Sequence, residues 1–232
     1  YSEKLAAIGR LASGVAHEVK NPLGIIMGGL EYLENKLAHI DDETRSDMDR
    51  VKAAVKRADA VIQGLLKFSR PSDLKIEKVS PNDIVNNAVA LLHYKTQLAN
   101  IKVDVSLQPN DMAVNVDRVQ IEQVLINVLL NAVDAMSQGG QITITVKTGG
   151  IQDEGREKAA GIIEILDTGE GISARDLSKL FEPFFTTKRD KKGTGLGLYI
   201  SRMIIENHHG KMVIESKLGT GTLVKIMLPA AV

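Results

Sequence analysis

One histidine in this chain stands in a setting that favours phosphoryl-transfer chemistry. His17 opens the run His-Glu-Val-Lys-Asn-Pro-Leu, which ends at Leu23 on an otherwise aliphatic helical pattern. Histidine is a nucleophile near neutral pH, and glycine clusters that can cradle phosphate follow in the second half of the chain. A nucleophile in one segment and phosphate-binding loops in another predict phosphoryl transfer. The alternative for His17 alone is a solvated histidine on a helix.

Three glycine clusters supply the candidate phosphate-binding loops. Asp167–Ile172 follows a predicted strand, Gly193–Leu198 precedes a predicted helix, and Gly219–Thr222 lies between two predicted strands. Glycine permits tight turns and close backbone approach, and a helix that begins just after Gly195 directs free N–H groups at an anion. The pattern is neither G-x-G-x-x-G nor a P-loop with its lysine, so neither of those nucleotide folds is indicated. The alternative for any one cluster is an ordinary turn.

Two asparagines share one face of the helix predicted over Arg118–Ser137. Asn127 and Asn131 are four residues apart, and Val124 makes the same face partly apolar. An unpaired buried amide costs about 1–3 kcal/mol, so asparagines on such a face indicate partners. Their carbonyl oxygens suit Mg²⁺, a hard cation that also takes nucleotide phosphates. The alternative is a pair of hydrogen-bonded core amides.

A helical hairpin precedes these motifs. Apolar residues recur at helical spacing over Leu5–Leu33 and again over Met48–Leu66, and the polar stretch His39–Glu43 between them predicts a tight turn. One hairpin leaves its apolar stripe uncovered, which predicts a homodimeric four-helix bundle. The alternative is a hairpin that packs on the rest of its own chain.

The domain boundary is predicted at Pro71, because Arg70-Pro71-Ser72 ends the second helix. The predicted domains are therefore 1–71 and 72–232. Ser80 and Pro81 form a helix start in the second domain, as N-cap and first helical residue. Its predicted helices cover 80–99, 118–137 and the residues after 197, its strands cover 101–107, 141–147, 161–167, 211–215 and 222–228, and a charged loop covers 149–160. This is an α+β fold with helices on one face of a mixed sheet.

Composition excludes several classes of function. The 232 residues are 44% hydrophobic and carry no net charge, so no strong field favours nucleic acid or an anionic membrane. The absence of cysteine excludes disulfides and thiolate metal sites. No apolar run approaches the ~20 residues that span a bilayer. Because the sequence opens at Tyr1 within a helical pattern, we expect a cytoplasmic fragment without membrane contact, whose full-length protein can be membrane-anchored.

Six motifs resemble the sequence boxes of sensor histidine kinases of two-component systems. His17–Leu23 resembles the H box and Asn127–Asn131 the N box, in the family's order along the chain. The His-Glu-Val-Lys-Asn-Pro form and the Phe-Glu-Pro-Phe-Phe-Thr-Thr-Lys run are most similar to the group that includes nitrogen-regulation kinases. The other boxes, G1, F, G2 and G3, are matched in turn by Asp167–Ile172, Phe181–Phe185, Gly193–Leu198 and Gly219–Thr222.

The resemblance implies a dimerisation and histidine phosphotransfer domain followed by a GHKL-type ATP-binding domain. His17 would accept the γ-phosphoryl group of ATP, while Glu18 would hydrogen-bond the other ring nitrogen and act as base. Asn131, with Asn127, would hold Mg²⁺, and Asp167 would accept the adenine amino group. The phosphoryl group would pass to an aspartate of a response regulator, and the resemblance also implies phosphatase activity on that regulator.

The remaining nucleotide-binding residues follow from the same resemblance. The glycines of G1 would line the adenine end, the segment 184–193 would cover the nucleotide, and the glycines of G2 would contact phosphates. Many family members carry a basic residue where this chain has Asp134. Basic residues of the segment 184–193 can supply the positive charge instead: Lys188, Arg189, Lys191 and Lys192. The alternative is that these residues are only a solvated run of charges. The implied set is Asp134, Gly169, Gly171, Ile172, Phe184, Thr187, Lys188, Gly193, Thr194, Gly195, Leu196, Gly197, Leu198 and Thr222.

Two further predictions concern the phosphoacceptor helix. Asn21 lies one turn beyond His17 on the same face, where it can orient a water for dephosphorylation. Pro22 cannot donate to the carbonyl of Glu18, so the helix should kink or loosen there.

The turn near His39–Glu43 has no glycine or proline to fix the hand of the bundle. We expect transfer between subunits rather than within one.

Three rival functions share parts of this pattern. The ATP fold is also that of gyrase-type and mismatch-repair ATPases and of a heat-shock chaperone. Those relatives place a water-activating Glu four residues before the Mg²⁺ asparagine, where this chain has Asn127, so ATP hydrolysis is disfavoured. A degenerate kinase acting as a dimeric scaffold would have a broken box, and a serine kinase on this fold would lack the H box.

Overall fold

The computed structural model divides the chain into two compact units. The first comprises Tyr1–Asp73 and Thr186–Leu196, and the second comprises Leu74–Phe185 and Gly197–Val232. No helix within the described ranges has the length and apolarity needed to cross a membrane. The residues that the structure describes are 2–37, 40–69, 74–109, 112–153, 156–187 and 195–231.

The first unit contains two helices that pack against one another, α1 (Ser2–Lys36) and α2 (Asp42–Ser69). Asp41 caps α2, because its carboxylate accepts the backbone N–H of Thr44 at 2.7 Å and the Thr44 hydroxyl at 2.8 Å. These hydrogen bonds lower the pKa of Asp41. The helix therefore begins inside the stretch predicted as a turn, and α1 continues through Pro22.

The second unit is built on a mixed five-stranded sheet. Its strands are ordered β2-β4-β5-β7-β6, where β2 is parallel to β4 and the other neighbours are antiparallel. Two short strands, β1 and β3, pair antiparallel in a separate sheet. The bounds are β1 Glu77–Val79, β2 Ile101–Ser106, β3 Val114–Val116, β4 Gly140–Asp153, β5 Arg156–Asp167, β6 Lys211–Lys217 and β7 Gly221–Pro229.

Helices α3 (Pro81–Leu98), α4 (Arg118–Asp134) and α6 (Gly197–Asn207) pack with the sheet around one aliphatic core. A four-residue helix, α5 (Ala174–Leu177), follows the first glycine cluster. Ser80 caps α3 as predicted, since its side chain accepts the N–H of Asn82. The predicted α+β fold, with helices on a mixed sheet, is confirmed.

Two predicted boundaries were wrong. Helix α4 ends at Asp134 rather than Ser137, because the Ala135 carbonyl accepts the N–H of Glu170, from the loop after β5, and the N–H of Gly139 donates to Met136 instead. The predicted loop over 149–160 is mostly hairpin, paired as far as Asp153 opposite Arg156. Its two glycines weakened the strand signal, yet each leaves room for a side chain of the neighbouring strand.

Candidate functional site

Asp167 is the centre of the site in the second unit. It ends β5, is 6% exposed, and its Oδ1 accepts backbone N–H groups from Gly169 at 2.8 Å and Thr222 at 3.2 Å. The Oδ2 atom has no hydrogen bond within the described part of the chain. Burial raises the pKa of Asp167, while the two backbone donors oppose that shift. The carboxylate therefore keeps one acceptor oxygen for a ligand with an N–H group.

Close backbone contacts explain three glycines of this region. Gly171 has φ +67, and a Cβ there would collide with the carbonyl of Lys217. Gly221 has φ +120, and a Cβ there would collide with the carbonyl of Asp167. At Gly169 a Cβ would lie 2.8 Å from that of Ala135. The first and third clusters therefore both contact Asp167, whereas the sequence predicted them only as two separate loops.

Ser216 is a site residue that no sequence motif predicted. Its hydroxyl accepts the N–H of Ile172 at 2.9 Å, donates to the Gly221 carbonyl at 2.8 Å, and lies 2.9 Å from Thr222 Oγ1. Ser216 is paired with Thr222 across β6 and β7. The sequence carries no sign of this pairing. The predicted residues Asp167, Gly169, Ile172 and Thr222 thus belong to one hydrogen-bonded network.

The two asparagines of α4 have different surroundings. Asn127 donates from Nδ2 to the Oγ of Ser201 on α6 at 3.0 Å, and Ser201 is 2% exposed. A Cβ at Gly197 would lie 2.5 Å from Asn127 Oδ1, so this glycine leaves room for the amide. Asn131 is half-buried, and its side chain has no hydrogen-bond partner among the described residues. Asn127 therefore also joins α4 to α6 by a hydrogen bond, while the amide of Asn131 is available to a ligand.

The other predicted nucleotide-binding residues are only partly described. Phe184 is exposed with φ +66, which is unusual for a bulky residue, and Gly195 has φ +68. Asp134 and Thr187 are exposed, Leu196 is buried, and Leu198 packs half-buried against the core. The remaining three, Lys188, Gly193 and Thr194, lie outside the described residues.

The phosphoacceptor motif lies on α1. The backbone of His17 and Glu18 is helical, and their side chains lie outside the described residues. Asn21 follows on the same helix and is exposed. The other histidines were predicted to be surface or packing residues. Accordingly His93 is exposed and His208 is buried in the core of the second unit.

Family comparisons agree with these motifs. Residues 116–232 match the family described as histidine kinase-, DNA gyrase B-, and HSP90-like ATPase. Residues 7–73 match the His kinase A (phospho-acceptor) domain. Because the first match covers half of the chain, the chain belongs to the family of histidine kinase-, gyrase B- and HSP90-like ATPases, with a His kinase A domain before the ATPase domain.

Individual relatives place the chain among sensor histidine kinases. It is 35% identical to the sensor histidine kinase ZraS of Klebsiella oxytoca over 98% of this chain and 47% of that protein. The chain thus spans about half the length of this curated relative. The structure of the catalytic domain of histidine kinase ThkA matches at 31% identity, with a TM-score of 0.57, over 67% of this chain and 95% of that chain.

A second ThkA structure covers both units. The complex of ThkA with the response regulator protein TrrA matches at 27% identity and a TM-score of 0.68, over 99% of this chain and 64% of that chain. ZraS and ThkA therefore confirm the histidine kinase resemblance inferred from the six boxes. The narrower resemblance to nitrogen-regulation kinases stays a prediction.

Proposed function

We propose that this chain is the catalytic core of an ATP-dependent, autophosphorylating protein histidine kinase. His17 accepts the phosphoryl group on a ring nitrogen, with Glu18 as its base, and passes it to an aspartate of a response regulator. One observation carries the proposal. A His kinase A match that contains His17 lies on the same chain as an ATPase domain with a hydrogen-bonded network around Asp167. We also propose the domain division 1–71 and 72–232.

The Asp167 network is proposed as the adenine end of the nucleotide site. The free Oδ2 of Asp167 accepts the adenine amino group, while Gly169, Gly171 and Ile172 line the same end. Thr222 and Ser216 support this role, because their hydrogen bonds hold the carboxylate and the first glycine loop in place. A buried acceptor fixed by backbone donors needs no rearrangement when the base binds.

We assign the metal site to α4. Asn131 is the proposed Mg²⁺ ligand, with the carbonyl oxygen of Asn127 as a second one. The amide of Asn131 supports this assignment, because it is half-buried and has no partner among the described residues. The Asn127–Ser201 hydrogen bond supports it too, because it uses a donor of the Asn127 amide and leaves Oδ1 available. Mg²⁺, when bound, neutralises charge on the phosphates, so neutral amide oxygens suffice as protein ligands.

The phosphates are proposed to lie at the N-terminus of α6. Gly195 and Gly197 precede and begin this helix, whose first N–H groups and dipole favour an anion. The segment 184–193, with Phe184, Thr187 and Lys188, is proposed to cover the nucleotide. Gly197 has a further requirement, because any side chain there would displace the Asn127 amide.

A homodimer through the helical hairpin is proposed from exposed apolar residues on α1. Val19, Ile26 and Leu33 recur every seventh residue and are 37%, 44% and 46% exposed, and Leu37 continues this stripe at 47%. Buried Met48 and Val55 of α2 show that the hairpin already has its own core. A seven-residue apolar repeat favours helix-on-helix packing with a second copy.

One experiment tests the proposed activity. Incubated with ATP and Mg²⁺, the chain should acquire a phosphoryl group that is labile in acid and stable in base, as a phosphoramidate is. His17→Gln should abolish labelling, while the matched control His93→Gln, at an exposed histidine of α3, should label like the unmodified chain. An acid-stable product, or labelling that survives His17→Gln, would overturn the proposal.

A further inference from the structure

Asp117 joins three parts of the second unit through its side chain and its backbone. It is 8% exposed and caps α4, where its Oδ1 accepts the N–H of Gln120 at 3.1 Å. Its Oδ2 accepts the backbone N–H of Lys75 at 3.2 Å. Its own N–H donates to Nε2 of His208 at 2.9 Å. One residue therefore connects the start of α4 with the residue after α6 and with the beginning of the unit.

The hydrogen bonds of His208 define the roles of its two ring nitrogens. Because the backbone N–H of Asp117 can only donate, Nε2 of His208 must accept and carries no proton. The proton is therefore on Nδ1, which donates to the Ile204 carbonyl at 2.7 Å. His208 is 4% exposed, and both ring nitrogens are used. An apolar side chain of similar size would leave two buried backbone groups without these partners.

The contact with Lys75 extends the small sheet formed by β1 and β3. The last pair of that ladder joins Glu77 to Val116, and the chain then turns into α4. The Asp117 carbonyl accepts the N–H of Ile121 within α4, and its carboxylate accepts the N–H of Lys75. Lys75 is the second residue of the second unit, so this hydrogen bond holds the beginning of that unit.

We propose that Asp117 and His208 are positioning residues of the nucleotide site, which fix α4 to α6 and both to the Lys75 segment. Helix α4 carries Asn127 and Asn131, and α6 begins at Gly197, so the relative position of the two helices sets the geometry of the proposed metal and phosphate groups. This inference rests on the proposed function. By linkage, a segment whose displacement changes nucleotide affinity is itself held more firmly when nucleotide binds.

The test is amide hydrogen exchange at Lys75 with and without ADP and Mg²⁺. In the unmodified chain, ADP should slow exchange of the Lys75 amide by about fivefold or more. Asp117→Asn keeps the helix cap and the backbone donor to His208, but it can present an N–H group to Lys75 in place of Oδ2. In this variant Lys75 should exchange about tenfold faster, and ADP should no longer slow it.

Two comparisons separate positioning from general stability. Ser80→Asn likewise replaces the N-cap residue of a helix, α3, with asparagine. It should leave intact the slowing of Lys75 hydrogen exchange by ADP. His208→Leu should weaken ADP binding about threefold to tenfold, and His208→Gln, which retains an acceptor, should recover most of the affinity. Where His208→Leu does not fold, Asp117→Asn carries the test.

Three results would overturn the inference. The first is ADP binding to the unmodified chain with no change in exchange at Lys75. The second is persistence of that change in Asp117→Asn, and the third is equal ADP affinity in His208→Leu and the unmodified chain. Failure of ADP to bind in a direct titration would instead overturn the proposed function, and this inference with it.

Discussion

The substitution Asp167→Asn tests the proposed ligand-binding role of Oδ2 separately from the structural role of Oδ1. An asparagine can keep Oδ1 as acceptor for the N–H groups of Gly169 and Thr222. Its amide nitrogen then occupies the position of Oδ2. The proposed adenine amino group, a donor, would face another donor instead of a charged acceptor. The substitution therefore removes one ligand hydrogen bond while it preserves the loop contacts.

The expected loss of affinity follows from that one contact. A hydrogen bond to a charged group contributes about 1.5–3 kcal/mol, which corresponds to about 10-fold to 150-fold in the dissociation constant. The donor–donor contact places the result toward the upper part of this range. An exposed carboxylate outside the site, such as Asp83 in the first turn of α3, provides the matched control Asp83→Asn. That control should bind ADP like the unmodified chain.

The stability of Asp167→Asn should not fall together with its ADP affinity. Burial raises the pKa of Asp167 above its ordinary value of 3.8, so the folded state binds this proton more tightly than the unfolded chain does. The ionised carboxylate then lowers stability above the folded-state pKa, and the penalty disappears as the pH falls through it. An uncharged asparagine avoids the penalty at neutral pH. The Tm of Asp167→Asn should therefore equal or exceed that of the unmodified chain.

Isothermal titration with ADP and a thermal melt, both at pH 7, check the two effects together. The unmodified chain should also lose ADP affinity on acidification, with onset above pH 3.8, because the protonated carboxyl of Asp167 is a weaker acceptor. Unchanged ADP affinity in Asp167→Asn would refute the assignment of Oδ2. A large fall in Tm would show that the carboxylate is needed for folding and would refute the electrostatic argument.

Three further predictions address the metal, the regulator and the dimer. Asn131→Ala should abolish Mg²⁺-dependent nucleotide binding and leave the dimer intact, so an unchanged ATP titration in Mg²⁺ would exclude the metal role. Asn21→Ala should slow dephosphorylation of the regulator more than autophosphorylation, because Asn21 is proposed to orient water; equal losses would assign it only to the helix. In heterodimers of His17→Ala and Asn131→Ala chains, the first chain's ATP domain should label the second chain's His17, and an unlabelled, verified heterodimer would reject transfer between subunits.

Local patterns predicted much of the second unit. The strand predicted over 101–107 is found as β2, Ile101–Ser106, and the Ser80-Pro81 helix start was correct, since both signals are contained in a few neighbouring residues. The outer part of the β4–β5 hairpin was missed. There Gly149 and Gly150 lower strand propensity, and only the opposing side chains of the folded hairpin show why glycine is accommodated.

The same distinction applies to the candidate site. Asp167 and the glycine clusters could be found because each motif is contiguous. Ser216, Ser201 and His208 could not, because each contacts a partner far away in the sequence. A single buried serine or histidine also leaves no periodic signal in the chain. Their roles depend on pairing across β6 and β7 and on the packing of α6 against α4.

The most direct test of the proposed kinase activity is to locate the phosphoryl group after incubation with ATP and Mg²⁺. Digestion and mass spectrometry under alkaline conditions, which preserve phosphoramidates, would identify the modified peptide. We predict one phosphoryl group on the peptide that contains His17, and none in the Asp167→Asn chain at ATP concentrations that saturate only the unmodified protein. A phosphoryl group on any other residue, or none on His17 in a chain that binds ATP, would contradict the proposed activity.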